Sequence, residues 1–246
     1  MSKLLVTYFQ KKYKPILETV FRRFENYARK CNAVFEAYEI PEESLDPQMD
    51  KFFHVADSLP NYDQYLIIDI DILIRHDSPN IFDIVGNRVG LYNEGGTFLN
   101  SYGHNSEDEL ARWVSVAQII KLCNLAPVAM QKTGEWGNPF FYFNSGVVVF
   151  SAKHLDIYSG FSASERSLIN KHSKEVQCSE QALVNYSVYK LGYPVVSLPA
   201  CFNQMCYNRC SDYLDTSYFL HFAGMSLEDK LVKMQEEDTK WGNWGY

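Results

Sequence analysis

Hydrophobic and polar positions along the first part of the chain change period several times. Lys3–Phe9 is an apolar run with the length and composition of a β-strand. Over Pro15–Lys30 the repeat becomes helical. Ile16, Leu17, Val20, Phe21, Phe24, Tyr27 and Ala28 fall on one face, with Arg22, Arg23, Glu25 and Asn26 opposite. Pro15 suits a first helical turn, where no backbone N–H is needed. A strand over Ala33–Ile40, a loop over Pro41–Pro47 and a helix over Gln48–Leu59 follow. Tyr65–Ile68 is continuously apolar, as in a strand covered on both faces. It runs into Asp69-Ile70-Asp71 and then Ile72-Leu73-Ile74. Strand, helix, strand, helix, strand in this order predicts right-handed crossovers and an α/β fold with a mostly parallel sheet flanked by helices. Asp69 and Asp71 then stand at the carboxyl end of a central strand, where open α/β sheets bind their ligands.

The pattern beyond residue 88 is less regular. Strands are predicted over Arg88–Tyr92, Pro194–Leu198 and Tyr218–Phe222, and helices over Ser106–Cys123, Ser179–Leu191 and Met225–Gln235. Ser106, followed by three acidic residues, and Ser226 are the predicted N-caps. Asn93–Asn105, with several Gly, Asn and Ser residues, reads as a flexible loop. Phe140–Ser151 reads as a strand interrupted at Asn144-Ser145-Gly146, and the tail Trp241–Tyr246 is aromatic and glycine-rich. Neither an internal repeat nor a low-complexity linker is present.

Composition narrows the functional classes. The 246 residues suit one domain, and the formal charge of −7 gives no general attraction for nucleic acid or anionic lipid. No apolar run approaches the roughly 20 residues of a spanning helix, and the N-terminus lacks a signal-peptide cleavage pattern. A cytoplasmic protein is expected, at most peripheral to a membrane. The six cysteines match no zinc spacing. Reduced structural thiols are expected, with a disulfide among Cys201, Cys206 and Cys210 as the alternative.

Several residues carry candidate chemistry. Asp69 and Asp71 offer hard oxygen ligands for Mn²⁺ or Mg²⁺, which also bind phosphate oxygens. Their position beside a buried strand makes an idle carboxylate pair costly. His221, after a strand and before Gly224, is a candidate third ligand. Asn144 can both donate to and accept from sugar hydroxyls, and Gly146 permits a close approach; a β-bulge is the plain alternative for this segment. Glu180 and Gln181 open a helix, where acidic residues also serve the helix dipole. Glu94 and Glu135 are lower-ranked carboxylates. Thr7 and Tyr8 end the first strand, with Tyr8 able to stack on a base or to serve as core.

The segment Tyr62–Ile74 resembles the metal-binding segment of glycosyltransferases with the GT-A fold, a Rossmann-like sheet. It is most similar to the glycogenin-like and lipopolysaccharide galactosyltransferase-like enzymes of glycosyltransferase family 8. Phe143-Asn144-Ser145-Gly146-Val147 is similar to that family's Phe-Asn-Ser-Gly-Val, and His221-Phe222-Ala223-Gly224 to its late His-x-x-Gly. Glu180-Gln181 with Asn185 is similar to an Asp-Gln pair near the donor sugar. The resemblance implies a single domain, with 1–92 as the nucleotide-binding half and 93–246 as the donor-sugar and acceptor half. It implies transfer of a sugar, with retention, from a nucleotide-diphosphate donor such as a UDP-sugar to a carbohydrate or other hydroxyl acceptor. Asp69, Asp71 and His221 would hold the metal, with Ile70 between the carboxylates. Thr7, Tyr8, Lys51, Ser145, Gly146 and Gly224 would contact the donor, and Asn144, Glu180 and Gln181 would serve the reacting sugar. The chain departs from the pattern at Leu227, near which the family often has a phosphate-binding Lys; Lys230, Lys233 or Lys51 would substitute. A catalytically silent carbohydrate-binding relative is one rival. A sugar-nucleotide nucleotidyltransferase is the other, opposed by the absence of Gly from Thr7–Lys14.

Overall fold

The computed structural model describes residues 1–41, 46–94, 106–128, 142–206 and 215–242, with the backbone alone over 106–113. Its strands are β1 (Lys3–Gln10), β2 (Val34–Ile40), β3 (Gln64–Ile68), β4 (Ile72–Ile74), β5 (Val89–Asn93), β6 (Phe143–Ser151), β7 (Val195–Leu198), β8 (Gln204–Met205) and β9 (Phe219–His221). Its helices are α1 (Lys14–Lys30), α2 (Pro47–Ser58), α3 (Ile81–Val85), α4 (Ser106–Leu122), α5 (Asp156–Ser159), α6 (Ala163–His172), α7 (Ser179–Leu191) and α8 (Leu227–Trp241).

Six strands form one sheet in the order β2-β1-β3-β6-β5-β7, and β4-β9-β8 form a smaller one. The large sheet is mostly parallel; β6 alone runs against its neighbours β3 and β5. That reversal puts the first residues of β6 at the same edge as the last residues of β1, β3 and β5. Strand alternation divides the core in two. Leu4, Val6, Tyr65, Ile67, Val148 and Phe150 face a cluster that includes Phe52 of α2, Ile119 of α4 and Leu183 of α7. Leu5, Leu66, Ile68, Val147 and Val149 face Val20 and Phe24 of α1, the small sheet and Met234 of α8. Both faces of β3 and β6 are therefore covered, which explains the unbroken apolar runs Tyr65–Ile68 and Val147–Phe150 within them.

Most predicted elements stand within a few residues of their observed ends, and four differences have physical causes. Asn144-Ser145-Gly146 does not break β6. It is absorbed as a bulge, where the pairing steps from Leu91↔Val148 to Tyr92↔Asn144. On α1, Arg23 was expected on the polar face but is buried, donating to the Ile74 carbonyl at 3.0 Å and the Gly242 carbonyl at 3.2 Å and pairing with the Asp238 carboxylate. Phe21, expected on the apolar face, is 40 % exposed and meets only the edge of Phe35. The last helix runs six residues past Gln235, because the Trp241 ring packs 5.8 Å from the Arg23 guanidinium and continues the buried side of α8. The short α3, α5, α6 and β8 were not foreseen, since most span too few residues to show a period.

Cys201 and Cys206 carry free thiols, as do Cys31, Cys123 and Cys178; Cys210 lies outside the described residues, as do Glu135 and most of the loop predicted over Asn93–Asn105. No helix among the described residues is long and apolar enough to cross a membrane.

Candidate active site

At the end of β3 the chain turns, and the turn is held from both sides. The Asp69 N–H donates to the Gly146 carbonyl at 2.8 Å, and the Phe222 N–H to the Asp71 carbonyl at 2.9 Å. Asp69 is thereby tied to β6, and Asp71 to the end of β9, which delivers His221. One ligand atom each from Asp69, Asp71 and His221 lies within 4.8 Å of the others. The His221 Nε2 is 3.4 Å from Asp71 Oδ1 and 3.7 Å from Asp69 Oδ2. Two carboxylates and one imidazole suit a divalent cation of the Mn²⁺ or Mg²⁺ type, so the donor set fits the metal that the sequence implies.

Two glycines make this convergence possible. A Cβ on Gly146 would sit 2.5 Å from His221 Cε1, so a larger residue there would drive the ring away. Gly224, at φ +75°, occupies the left-handed region in the turn between His221 and α8. Ser226 then caps α8, its side chain accepting from the Asp229 N–H.

Lysines stand on both carboxylates. Lys51, from the buried side of α2, lies 2.6 Å from Asp69 and 3.1 Å from Glu180; Lys230, from the first turns of α8, lies 2.5 Å from Asp71. Burial alone would lower the Lys51 pKa, but Asp69 and Glu180 reverse that and hold it charged. Burial would likewise raise Asp71, yet His221 and Lys230 hold it well below the usual carboxylate range. The His221 ring is pushed down by burial and up, more strongly, by Asp71 and Asp69, and ends above its ordinary value. Glu180 goes the other way from Asp71. Burial raises it, Lys51 lowers it and the Asp69 charge raises it further, leaving it above the normal carboxylate range.

Beside this centre, buried amides tie α7 to β6. Asn144 Nδ2 donates to Glu94 Oε1 at 2.7 Å and to Gln181 Oε1 at 3.1 Å. Gln181 Oε1 also accepts from the Ser145 N–H at 3.4 Å, and the Ser145 hydroxyl donates to Glu180 at 3.4 Å. Asn185 exchanges hydrogen bonds with the backbone N–H and C=O of Phe143 at 2.9 and 2.8 Å, docking the helix on the strand.

A cleft of about 440 Å³ opens beside the carboxylates. Its walls include Tyr8, Phe9 and Gln10 at the end of β1, Lys12 and Tyr13 just after it, Gln48 and Lys51 of α2, Asp69-Ile70-Asp71, Glu180 and Lys230. The volume lies in the usual range for a small-molecule site. Tyr8 lines the cleft but is nearly buried, its ring stacked on Tyr38 at 5.6 Å. Thr7 is fully buried, and its hydroxyl donates to the Ile68 carbonyl at 2.8 Å; it braces β1 against the end of β3.

The structure thus gathers Lys51, Asp69, Asp71, Asn144, Ser145, Gly146, Glu180, Gln181 and His221 into one locality, with Thr7, Tyr8 and Gly224 at its borders. Sequence reasoning missed Asn203, which is fully buried and whose Oδ1 lies 2.8 Å from His221 Nδ1. It sits between short elements with no periodicity, and no sequence signal marks it. Glu94 was ranked low because its Gly-rich surroundings read as loop. Lys233 pairs with Glu236 on an exposed turn of α8, whereas Lys230 reaches the site.

Neither a protein-family model nor a curated protein matches the sequence. Solved structures do. A glycosyltransferase involved in the glycosylation of the major capsid of PBCV-1 superposes with a TM-score of 0.61 at 15 % identity, over 96 % of this chain and 98 % of that one. The galactosyltransferase LgtC, solved with donor and acceptor sugar analogues, gives a TM-score of 0.52 at 14 % identity over 95 % of each chain. At such low identity the likeness concerns architecture. The order of elements and the reversed strand β6 therefore belong to a GT-A fold.

Proposed function

We propose that this chain is a metal-dependent glycosyltransferase that moves a hexose from a UDP-sugar to a hydroxyl acceptor with retention of configuration. The observation that carries the proposal is the meeting of Asp69, Asp71 and His221 at the edge of a cleft on a GT-A sheet. Among the described residues that line the cleft, all but Glu180 and Lys230 come from the first 92, as a nucleotide-binding half requires. A bound Mn²⁺ or Mg²⁺ would supply positive charge to the diphosphate and favour its departure.

The chain's own groups do the rest. Lys51 and Lys230 are ammonium groups within reach of diphosphate oxygens, and Tyr8 with Phe9 and Ile40 offers an apolar wall for the base. Asn144 and Gln181 would orient the sugar, held by Glu94 on one side and by the β6 backbone on the other. Glu180, at the buried end of the cleft, would face the sugar carbon as it gains positive character. In a front-face transfer the bond from sugar C1 to the phosphate oxygen breaks as the bond to the acceptor oxygen forms. The acceptor's proton passes to the departing phosphate oxygen.

The test is calorimetric titration of UDP, then GDP, with and without Mn²⁺, on the wild type and Asp71→Ala. Metal-dependent binding of UDP, lost in the variant, supports the proposal; no binding of either nucleotide in the presence of metal rejects it. The ammonium groups on both carboxylates favour one second reading, a transferase in which lysines neutralise the diphosphate without metal. UDP binding that is unchanged by chelation would select it. Stereochemistry of the transferred sugar, read by NMR, decides retention.

A further inference from the structure

A chain of buried amides runs from Glu94 to His221, and only one assignment of its protons satisfies every group. The Gly146 N–H can only donate, and it lies 2.7 Å from Asn144 Oδ1. That end of Asn144 is therefore the carbonyl, and its amino group faces Glu94, a carboxylate able to accept, at 2.7 Å. Asn203 meets the same Asn144 Oδ1 at 2.8 Å, so the group it presents there must be its amino group. Its own carbonyl oxygen is then turned to the other side, 2.8 Å from His221 Nδ1. An oxygen that can only accept requires a proton on Nδ1. Nε2 is left with its lone pair in the neutral ring, and Nε2 is the atom that faces Asp71 and Asp69. Glu94, Asn144, Asn203 and His221 are all at most 5 % exposed, so water does not offer substitutes for these bonds.

We propose that Asn203 is a positioning residue that fixes His221 as the Nδ1–H tautomer, holding the Nε2 lone pair on the metal position. The orientation is set by the Gly146 N–H and Glu94 through Asn144, so the relay makes the ring a ready ligand before any cation arrives. This role rests on reading Asp69, Asp71 and His221 as a metal site. The tautomer itself does not depend on that reading. A ligating imidazole held through its second nitrogen is oriented and made more basic by its partner. Without Asn203 the neutral ring would be free to place its proton on Nε2, where two carboxylates accept it, and the metal would have to reverse that choice.

The experiment uses ¹⁵N-labelled full-length protein with Mn²⁺ removed, recording the ring nitrogens of His221 at a pH where the ring is neutral. The signal is assigned by its absence from His221→Asn. Calorimetry with Mn²⁺ alone follows on the same samples. The wild type is expected to show the Nδ1–H form. Asn203→Asp loses the donor to Asn144 but keeps the acceptor toward Nδ1, and is expected to retain the Nδ1–H form. Asn203→Leu, which has none, is expected to lose it and to bind Mn²⁺ about 10- to 100-fold more weakly. An Nε2–H form in the wild type, or an unchanged tautomer and Mn²⁺ affinity in Asn203→Leu, overturns the proposal. If Asn203→Leu does not fold, the wild-type spectrum and Asn203→Asp still decide. A wild type that holds the Nδ1–H form but binds no Mn²⁺ would sink the metal reading and leave the relay standing.

Discussion

Gly146→Ala adds a single methyl group at the point where β6 passes against the His221 ring. Its Cβ would lie 2.5 Å from His221 Cε1, 2.9 Å from His221 Nδ1 and 2.9 Å from Asn144 Oδ1. Carbon atoms in contact need about 3.5 Å, so the ring must retreat by about 1 Å or the strand must move. Retreat of the ring breaks into its bond with Asn203, and retreat of Asn144 disturbs Glu94 and Gln181. Overpacking of this kind costs about 1–3 kcal/mol of stability. A ligand displaced by about 1 Å is also a poor ligand, and we expect Mn²⁺ affinity to fall at least about tenfold, or about 1.4 kcal/mol. Urea unfolding of the metal-free protein gives the first number, and calorimetry with MnCl₂ the second. A variant as stable as the wild type that binds Mn²⁺ equally well would refute the claim that Gly146 is there to admit His221.

Four further outcomes are expected. Lys230→Ala removes the ammonium from Asp71, so Mn²⁺ alone should bind more tightly, while UDP in the presence of Mn²⁺ should bind more weakly; calorimetry reads both, and shifts of the same sign would exclude the dual role. In metal-free protein, Asp71 is held below its ordinary value near 4, so its share of stability is present above that pH and is lost as pH falls through the depressed value. His221 is held above its ordinary value near 6.5, so its share is complete below that pH and is lost as pH rises through the raised value. The pair's contribution should therefore be greatest between about pH 4 and about pH 6.5, as urea midpoints against pH will show. Below the raised value Mn²⁺ must displace the Nε2 proton of the charged ring, so its affinity should rise with pH by up to about tenfold per unit until the ring is neutral; a flat profile would contradict this. Arg23→Met should destabilise the protein by about 2–4 kcal/mol in denaturant melts, because Asp238 and the carbonyls of Ile74 and Gly242 lose their donor.

The periodic elements and one half of the candidate site are legible in the local pattern of the chain. The apolar run at Lys3–Phe9 declared a strand, the unbroken run at Tyr65–Ile68 a doubly covered one, and the helical stripe from Ile16 to Ala28 declared α1, because burial imposes a period that side chains reveal locally. Asp69 and Asp71 were legible for the same reason, as charges at the end of such a run. What the tertiary structure decided depends on residues far apart in the chain. The reversal of β6 has no local mark, since a strand buried on both faces reads the same in either direction. Arg23 looks like a solvated helix face until α8 and the Ile74 carbonyl close over it. Lys230 becomes a partner of Asp71 only because the turn at Gly224 aims α8 at the site. Asn203, between two short elements, acquires its role from Asn144 on one side and His221 on the other. Hydrogen-bond partners chosen across 59 and 18 residues of chain leave no period to read; only the folded arrangement brings their donors and acceptors within reach.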